Sequence, residues 1–399
     1  MKLRLFLFLA AISVVLAAVA APSHPARRPR YGGTLRVEIG AIVKSLDPSA
    51  SAANPEEADA KDELDALLYD RSGEDGTFSG AAGSGAFRLS AWEAGKSAVF
   101  AANEDYRAGR PFVDSIEVQM GRSTHERLLD LELNKTDFAQ IPAELARQAT
   151  DHGVRVSASQ PDELLALVFL KGRTATENAR VREAIARCID RAAIVNFILQ
   201  KEGEPAGGLL PQWSSGTAFL FPTETDARGA KEIWSQMSPS PKLVLGYDSA
   251  DTLEQSVAER IVVNAKEAGI SLVSRAMPNT GMASAHTGSE ALRGDTMHVD
   301  ARLIRLRMAS PMAQVSLTAF IDVLGPLGGI EASPLPENAS PQDIYNAERG
   351  IISGGRVVPL VWMPQVYGLS ARVRDWKQPA AGESWPLADV WLDSTTEAH

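Results

Sequence analysis

Cysteine is almost absent: Cys188 is the only one, so no intramolecular disulfide can form. It sits within VREAIARCIDR on a helical pattern and reads as a small buried apolar residue rather than a nucleophile. Metal-binding signatures are missing too. The six histidines, at 24, 125, 152, 286, 298 and 399, show no zinc-site spacing, and neither H-E-x-x-H nor C-x-x-C occurs. No G-x-S-x-G elbow marks a serine hydrolase. The glycines at 32–33, 80–85 and 207–208 lack the Lys-Ser/Thr of a phosphate loop. No catalytic residue, metal or cofactor is therefore expected. Positive charge is also in deficit. The formal net charge of −10 argues against a nucleic-acid partner, which would need a basic face. The same charge suits a monomer that repels its copies. Beyond the first residues, no apolar run is long enough to span a bilayer.

Those first residues are distinctive. Lys2 and Arg4 precede an uncharged apolar run from Leu5 to Val19, and Ala18 and Ala20 place small residues where a signal peptidase reads. A signal peptide over 1–20 is expected, and with it a periplasmic or secreted protein. The rest is too long for one ordinary core, so two or more domains are expected.

After a Pro- and Arg-rich flexible lead over 21–30, YGGTLRVEIG alternates as a strand entered through glycines. Residues 51–83 are rich in Ala, Gly, Ser, Asp and Glu, with one short helix expected over about Ala58–Tyr69. SGAFRLSAWEAGKSAVFAANEDYRAGRPFVDSIEV (84–118) predicts a three-stranded meander packed on one face. Ser123-Thr-His-Glu126 is a capping-box pattern opening a helix, and DFAQI (137–141) a short strand. Strands follow near Val154–Ser157 and Leu164–Leu170. Two helical patterns share 178–200, with Asp190 placed to cap the second. KLVLGYD, TLEQSVAERIVVNAKEAG and ISLVSRAM (242–277) form a strand–helix–strand unit with Gly269 as the stop. A right-handed crossover would make its strands parallel. A strand at ARLIRLRMA, helices at SLTAFIDVLG and PQDIYNAERGI, and strands at RVVPLVWM and YGLSARV complete an α/β chain with mixed sheets.

The order of segments resembles the family 5 extracellular solute-binding proteins of ABC importers, the peptide- and nickel-binding class. YGGTLRVEIGAIVKSLDP (31–48) is similar to that family's first strand and "LDP" loop. Residues 83–118 are similar to its G-T-G-x-Y/F-x-L…W…G…N-x-x-Y…G-x-P-x-x-D-x-I stretch. ENARVREAIARCIDRAAIVNFIL (177–199) is similar to D-x-x-V-R-x-A-x-x-x-A-I-D-R-x-x-I. AERIVVNAKEAGISLV (258–273) and RVVPLVWMPQVYGLSARVRDW (356–376) resemble later segments. Two departures stand out. Only residues 49–82 fill the place of a long extra subdomain, and MHVDARLIRLRMASPMAQ (297–314) replaces an acidic W-x-x-D loop.

The resemblance implies a two-lobed, type II periplasmic-binding-protein-like fold with the extra N-terminal subdomain reduced or missing. The expected division is lobe I over 31–172, with 49–82 a shortened flexible insertion, lobe II over 173–352, and a return to lobe I over 353–399. Crossings between lobes are expected near Leu170–Thr174 and Ile351–Val357, with Gly172, Gly354 and Gly355 as hinge glycines. Ligand-binding candidates are Ser45, Asp47, Trp213, Trp362, Gln365 and Tyr367, because aromatics give large contact area at low entropic cost. The implied partners are a small-molecule or peptide solute and an ABC permease. The rival expectation is a degenerate solute-binding fold kept as an interaction or sensing module without transport.

Overall fold

A computed structural model describes residues 28–47, 50, 52, 55–69, 84–217, 220–277, 299–331, 334–336 and 338–393. The expected signal peptide over 1–20, most of the lead 21–30, the glycine-rich part of 49–82 and the histidines 286 and 298 lie outside the described residues.

Two large mixed sheets organise the chain. The first has seven strands in the order β2-β3-β4-β1-β5-β13-β6. These are β1 (Thr34–Glu38), β2 (Phe87–Glu93), β3 (Ser97–Ala102), β4 (Ser115–Gln119), β5 (Phe138–Ile141), β6 (Arg155–Ala158) and β13 (Val366–Leu369). The meander expected over 84–118 is β2-β3-β4, and β1 pairs parallel to both β4 and β5. The second sheet has six strands in the order β10-β9-β11-β7-β12-β8. Its members are β7 (Glu163–Phe169), β8 (Glu204–Pro205), β9 (Leu243–Asp248), β10 (Leu272–Met277), β11 (Ala301–Arg307) and β12 (Val357–Met363). β9 and β10 are parallel, joined by the helix Thr252–Glu267 as expected.

The sequence of β7 explains its central place. Leu165, Leu167 and Phe169 enter one core cluster, while Leu164, Ala166 and Val168 enter another. A strand buried on both faces reads as an unbroken apolar run. In the first unit, Leu35, Val37, Phe87, Phe100, Ile116 and Phe138 share a core with the helix Pro55–Leu68, through Leu64 and Leu67. That helix begins three residues before the expected Ala58. The Ser123 capping box forms as predicted, and Asp190 accepts from the Ala193 N–H at 2.9 Å. Cys188 is buried, and burial pushes its thiol up to about 12. Among the described residues no helix is long and apolar enough to cross a membrane, and no group of three His, Cys, Asp or Glu side chains could hold a metal.

The division between units differs from the expected one. Because β7 and β12 both belong to the second sheet, the chain changes sheets between β6 and β7, over 159–162, and between β12 and β13, over 364–365. Gly172, Gly354 and Gly355 lie at the opposite ends of β7 and β12. Gly172 and Gly355 have φ of 76° and 63°, so glycine serves turns there, the second just after the helix Pro341–Ser353. The boundaries expected at 172 and 352 thus move to 159–162 and 364–365.

Candidate functional site

The two crossings run side by side and are bonded to each other. Ser159 N–H donates to the Gln365 carbonyl at 2.9 Å, and Asp162 N–H to the Met363 carbonyl at 3.1 Å. Gln365 N–H returns a bond to Ser159 Oγ at 2.9 Å. Side chains continue the ladder. Gln365 Nε2 donates to Asp162 Oδ2 at 2.7 Å, Tyr367 OH to Gln365 Oε1 at 2.9 Å, and Trp385 Nε1 to Tyr367 OH at 3.3 Å.

Charged side chains converge beside this ladder from both units. Arg305 and Arg307, two residues apart, lie on one face at the end of β11. Arg305 Nε stands 2.5 Å from Glu163 Oε1, and its Nη1 lies 3.1 Å from Asp251 Oδ2. Arg307 Nη1 reaches Asp59 Oδ2 at 2.9 Å, on the first unit's helix, and its Nη2 lies 3.6 Å from Glu163. Glu144 from the first unit faces Arg305, Asp251 and Glu163. Around the two guanidinium groups thus stand six carboxyl groups: Asp59, Glu144, Asp162, Glu163, Asp251 and Glu254.

Burial governs how these carboxyl groups titrate. Burial pushes the Asp162 carboxyl up to about 6, against the pull of Arg307 and of the Gln365 amide. Burial and the neighbouring Asp251 push Glu254 up to about 8, although Asp248 N–H donates to it at 2.8 Å. Burial also raises Glu144. Burial would lower Arg305 and Arg307, but the carboxylates, led by Glu163 for Arg305 and Asp59 for Arg307, more than reverse it, so both stay charged.

The sequence candidates fall in three places. Gln365 and Tyr367 meet in the ladder, with Tyr367 buried against Phe138 at a ring-centroid distance of 5.4 Å. Trp213 reaches the same place from the second unit, its Nε1 donating to the Pro161 carbonyl at 2.8 Å. Ser45 and Asp47 lie apart in the loop after β1. Asp47 N–H donates to Ser45 Oγ at 3.1 Å, and Lys61 donates to the Asp47 carbonyl, which ties the loop to the helix Pro55–Leu68. Trp362 is buried inside the second unit, 6.4 Å from Phe320 between ring centroids. Sequence reading missed Asp59, Glu144, Asp162, Glu163, Asp251, Arg305 and Arg307. A signal existed for some: Asp162-Glu163 opens an apolar strand with acid, and ARLIRLR puts arginines into an otherwise apolar alternation.

Comparison with known proteins gives this junction a context. A family profile, "Bacterial extracellular solute-binding proteins, family 5 Middle", matches residues 42–305. Protein XP55 of Streptomyces lividans is 26% identical over 202 residues, which are 47% of this chain and 37% of XP55. The oligopeptide-binding protein AppA of Bacillus subtilis (strain 168) is 27% identical over 148 residues, 36% of this chain and 26% of AppA. The chain therefore matches about a quarter to two fifths of the length of these relatives. The structure of AppA from Bacillus subtilis in complex with a nonapeptide superposes with a TM-score of 0.65 at 12% identity, covering 92% of this chain and 100% of that one. That likeness establishes the fold as α/β and two-lobed, of the type II periplasmic-binding-protein kind. The chain belongs to the bacterial extracellular solute-binding proteins, family 5.

Proposed function

We propose that this protein is exported through a signal peptide at 1–20, captures a small solute, peptide-like or other, where its two units meet, and delivers it to an ABC permease. The observation that carries the reading is the junction itself. Two short crossings, 159–162 and 364–365, are the described connections between sheets, and charged groups of both units converge beside them. Such a layout lets the units hinge about the paired crossings while a ligand favours the closed arrangement through contacts made only there. With Glu254 protonated at neutral pH, Asp59, Asp162, Glu163 and Asp251 still outnumber the two arginines, so the junction favours a solute that presents a positive group. On this reading Gln365, Trp213 and Asp162 meet it; their bonds at the crossings, and the Tyr367 hydroxyl bonded to Gln365, support that assignment.

A second reading has its own support. The Asp59–Arg307 pair and the Trp213 bond to the crossing hold the parts together through the protein's own side chains. A degenerate solute-binding fold acting as an interaction or sensing module would keep such contacts. A thermal-shift screen separates the two readings. A solute at about a hundred times its Kd stabilises the folded state by about 2.7 kcal/mol. A rise in melting temperature with basic or amino-terminal peptides supports capture. No rise with peptides, amino acids, sugars or nickel favours the interaction module.

A further inference from the structure

Between Trp376 and Trp385 the chain leaves the core of the first unit and returns to it. Aromatic packing fixes both ends: the two indole rings lie 4.8 and 5.0 Å from the Phe138 ring between centroids. Trp376 Nε1 donates to Ser157 Oγ at 3.2 Å, and Trp385 N–H to Glu63 Oε2 at 2.8 Å. The tip is a turn over 380–383. Glu383 N–H donates to the Ala380 carbonyl at 2.9 Å, and Ala380 N–H to Glu383 Oε2 at 3.1 Å. Gly382 holds a φ of 76° at the third position, where a type II turn calls for glycine. The turn is thus closed by its own groups. It is nevertheless seated in the other unit. Ala381 is 7% exposed and belongs to a core cluster of the second unit, the only member among the described residues from outside 164–362. Gly382 lies against the backbone of 309–310: a Cβ there would overlap the Ala309 carbonyl oxygen and stand 2.6 Å from its carbon. Only glycine allows that approach. The receiving turn is preformed as well. Ser316 Oγ, in the helix Ala313–Gly328, accepts from Ser310 N–H at 3.2 Å and donates to the Ser310 carbonyl at 2.7 Å.

We propose that the turn over 380–383 is a latch between the units: seated on 309–310 it holds them in the arrangement of this structure, and rotation about the crossings withdraws it as one piece. Each side keeps its shape through the bonds inside its own unit, so withdrawal breaks none of them. What is exchanged for water is the packing of one methyl group and a face of backbone. A contact that small biases an equilibrium between two arrangements without locking it. Its position suits the task. Met308 N–H donates to the Asp162 carbonyl at 2.9 Å, so the receiving turn starts beside the first crossing and moves with the second unit. The tip, held at both ends against Phe138, moves with the first. A change of angle between the units therefore acts directly on the contact. The latch rests on the hinge motion of the capture reading and needs no solute to act.

The test uses the full chain without solute, spin-labelled at the exposed positions Glu117→Cys and Glu259→Cys. Gly382→Asn is the first variant, because asparagine tolerates the positive φ of the turn while its Cβ cannot seat against Ala309. Ala381→Glu is the second: its carboxylate is hydrated when the turn is withdrawn and meets an apolar core when it is seated. Both are expected to melt cooperatively and to lower the population at the parent's principal distance, relative to the rest, about tenfold, a usual scale for coupling between two sites. In the chain without labels, the thiol of Ala381→Cys is expected to react slowly, and about tenfold faster once Gly382→Asn is added. A broad or bimodal parent distribution that neither variant moves overturns the latch and leaves the hinge standing. One narrow distribution, the same in parent and variants, overturns the latch together with the hinge. A change with Gly382→Asn alone reports damage to the turn and overturns the proposal. So does an Ala381→Cys thiol that reacts as fast as an exposed one, since the turn is then not seated.

Discussion

Replacing Arg307 by methionine removes a guanidinium group that links the two units and keeps most of the side chain's apolar bulk. Its side chain is 18% exposed, and the paired Asp59 is 19% exposed. A fully buried pair that loses one partner costs about 3–5 kcal/mol, whereas an exposed pair is worth about 0–1 kcal/mol. One-fifth exposure lies nearer the first case, so a loss of about 2–3 kcal/mol is expected for Arg307→Met. Glu163 retains Arg305 at 2.5 Å, which keeps the loss below the upper limit. Asp59→Asn keeps the shape and one acceptor oxygen, and is expected to cost less. A double-mutant cycle isolates the pair, with a coupling of about 1–2 kcal/mol expected. The pH dependence adds a second signature. Asp162 is raised from its ordinary 3.8 to about 6, so its share of stability is complete below 3.8 and disappears as pH rises through 6. Arg307 opposes that rise, so Arg307→Met moves the window upward and deepens the loss at neutral pH. Urea unfolding followed by tryptophan fluorescence at several pH values reads both effects. A change within about 0.5 kcal/mol, the usual range for a surface substitution, together with zero coupling would refute the reasoning.

Other consequences can be checked on the same protein. Glu254 is raised from 4.5 to about 8, so its contribution is complete below 4.5 and is lost as pH climbs through 8; Glu254→Gln is expected to gain stability relative to the parent across that window in melting curves. Tyr367→Phe strands the Gln365 amide oxygen and the Trp385 indole N–H in a buried site, and a loss of about 1–3 kcal/mol is expected by calorimetry. Ser340→Ala removes a capping box in which Ser340 Oγ accepts from Asp343 N–H at 3.2 Å and Asp343 accepts from Ser340 N–H at 2.9 Å. A loss of about 1 kcal/mol is expected there, and a helix unaffected in hydrogen exchange would contradict it.

Elements with strong local signals were legible in the sequence. The β7 run, the β9–helix–β10 unit and the Ser123 box follow from periodicity and capping chemistry alone. The crossings did not follow. An apolar run such as LLALVFL is the same whichever sheet it joins, and nothing local says where the chain changes sheets. Glycine pointed to the wrong places, because Gly172 and Gly355 mark backbone turns with positive φ. The real crossings, Ser-Gln-Pro-Asp and Pro-Gln, need no positive φ and no glycine, and each satisfies polar groups of the other. The site was legible only in part. Gln365 and Trp213 were marked by residue type, but the Asp59–Arg307 pair joins positions 248 residues apart, and no spacing rule reaches that far.

The central claim is that the two units close on a solute about the paired crossings. It is tested most directly by a distance between spin labels at Glu117→Cys in the first unit and Glu259→Cys in the second, both exposed positions, with Cys188 buried and unreactive. The account predicts a broad or bimodal distance distribution without solute that collapses to a single shorter distance when a solute found in the thermal screen is added. One narrow distribution, unchanged by a solute that binds, would contradict it.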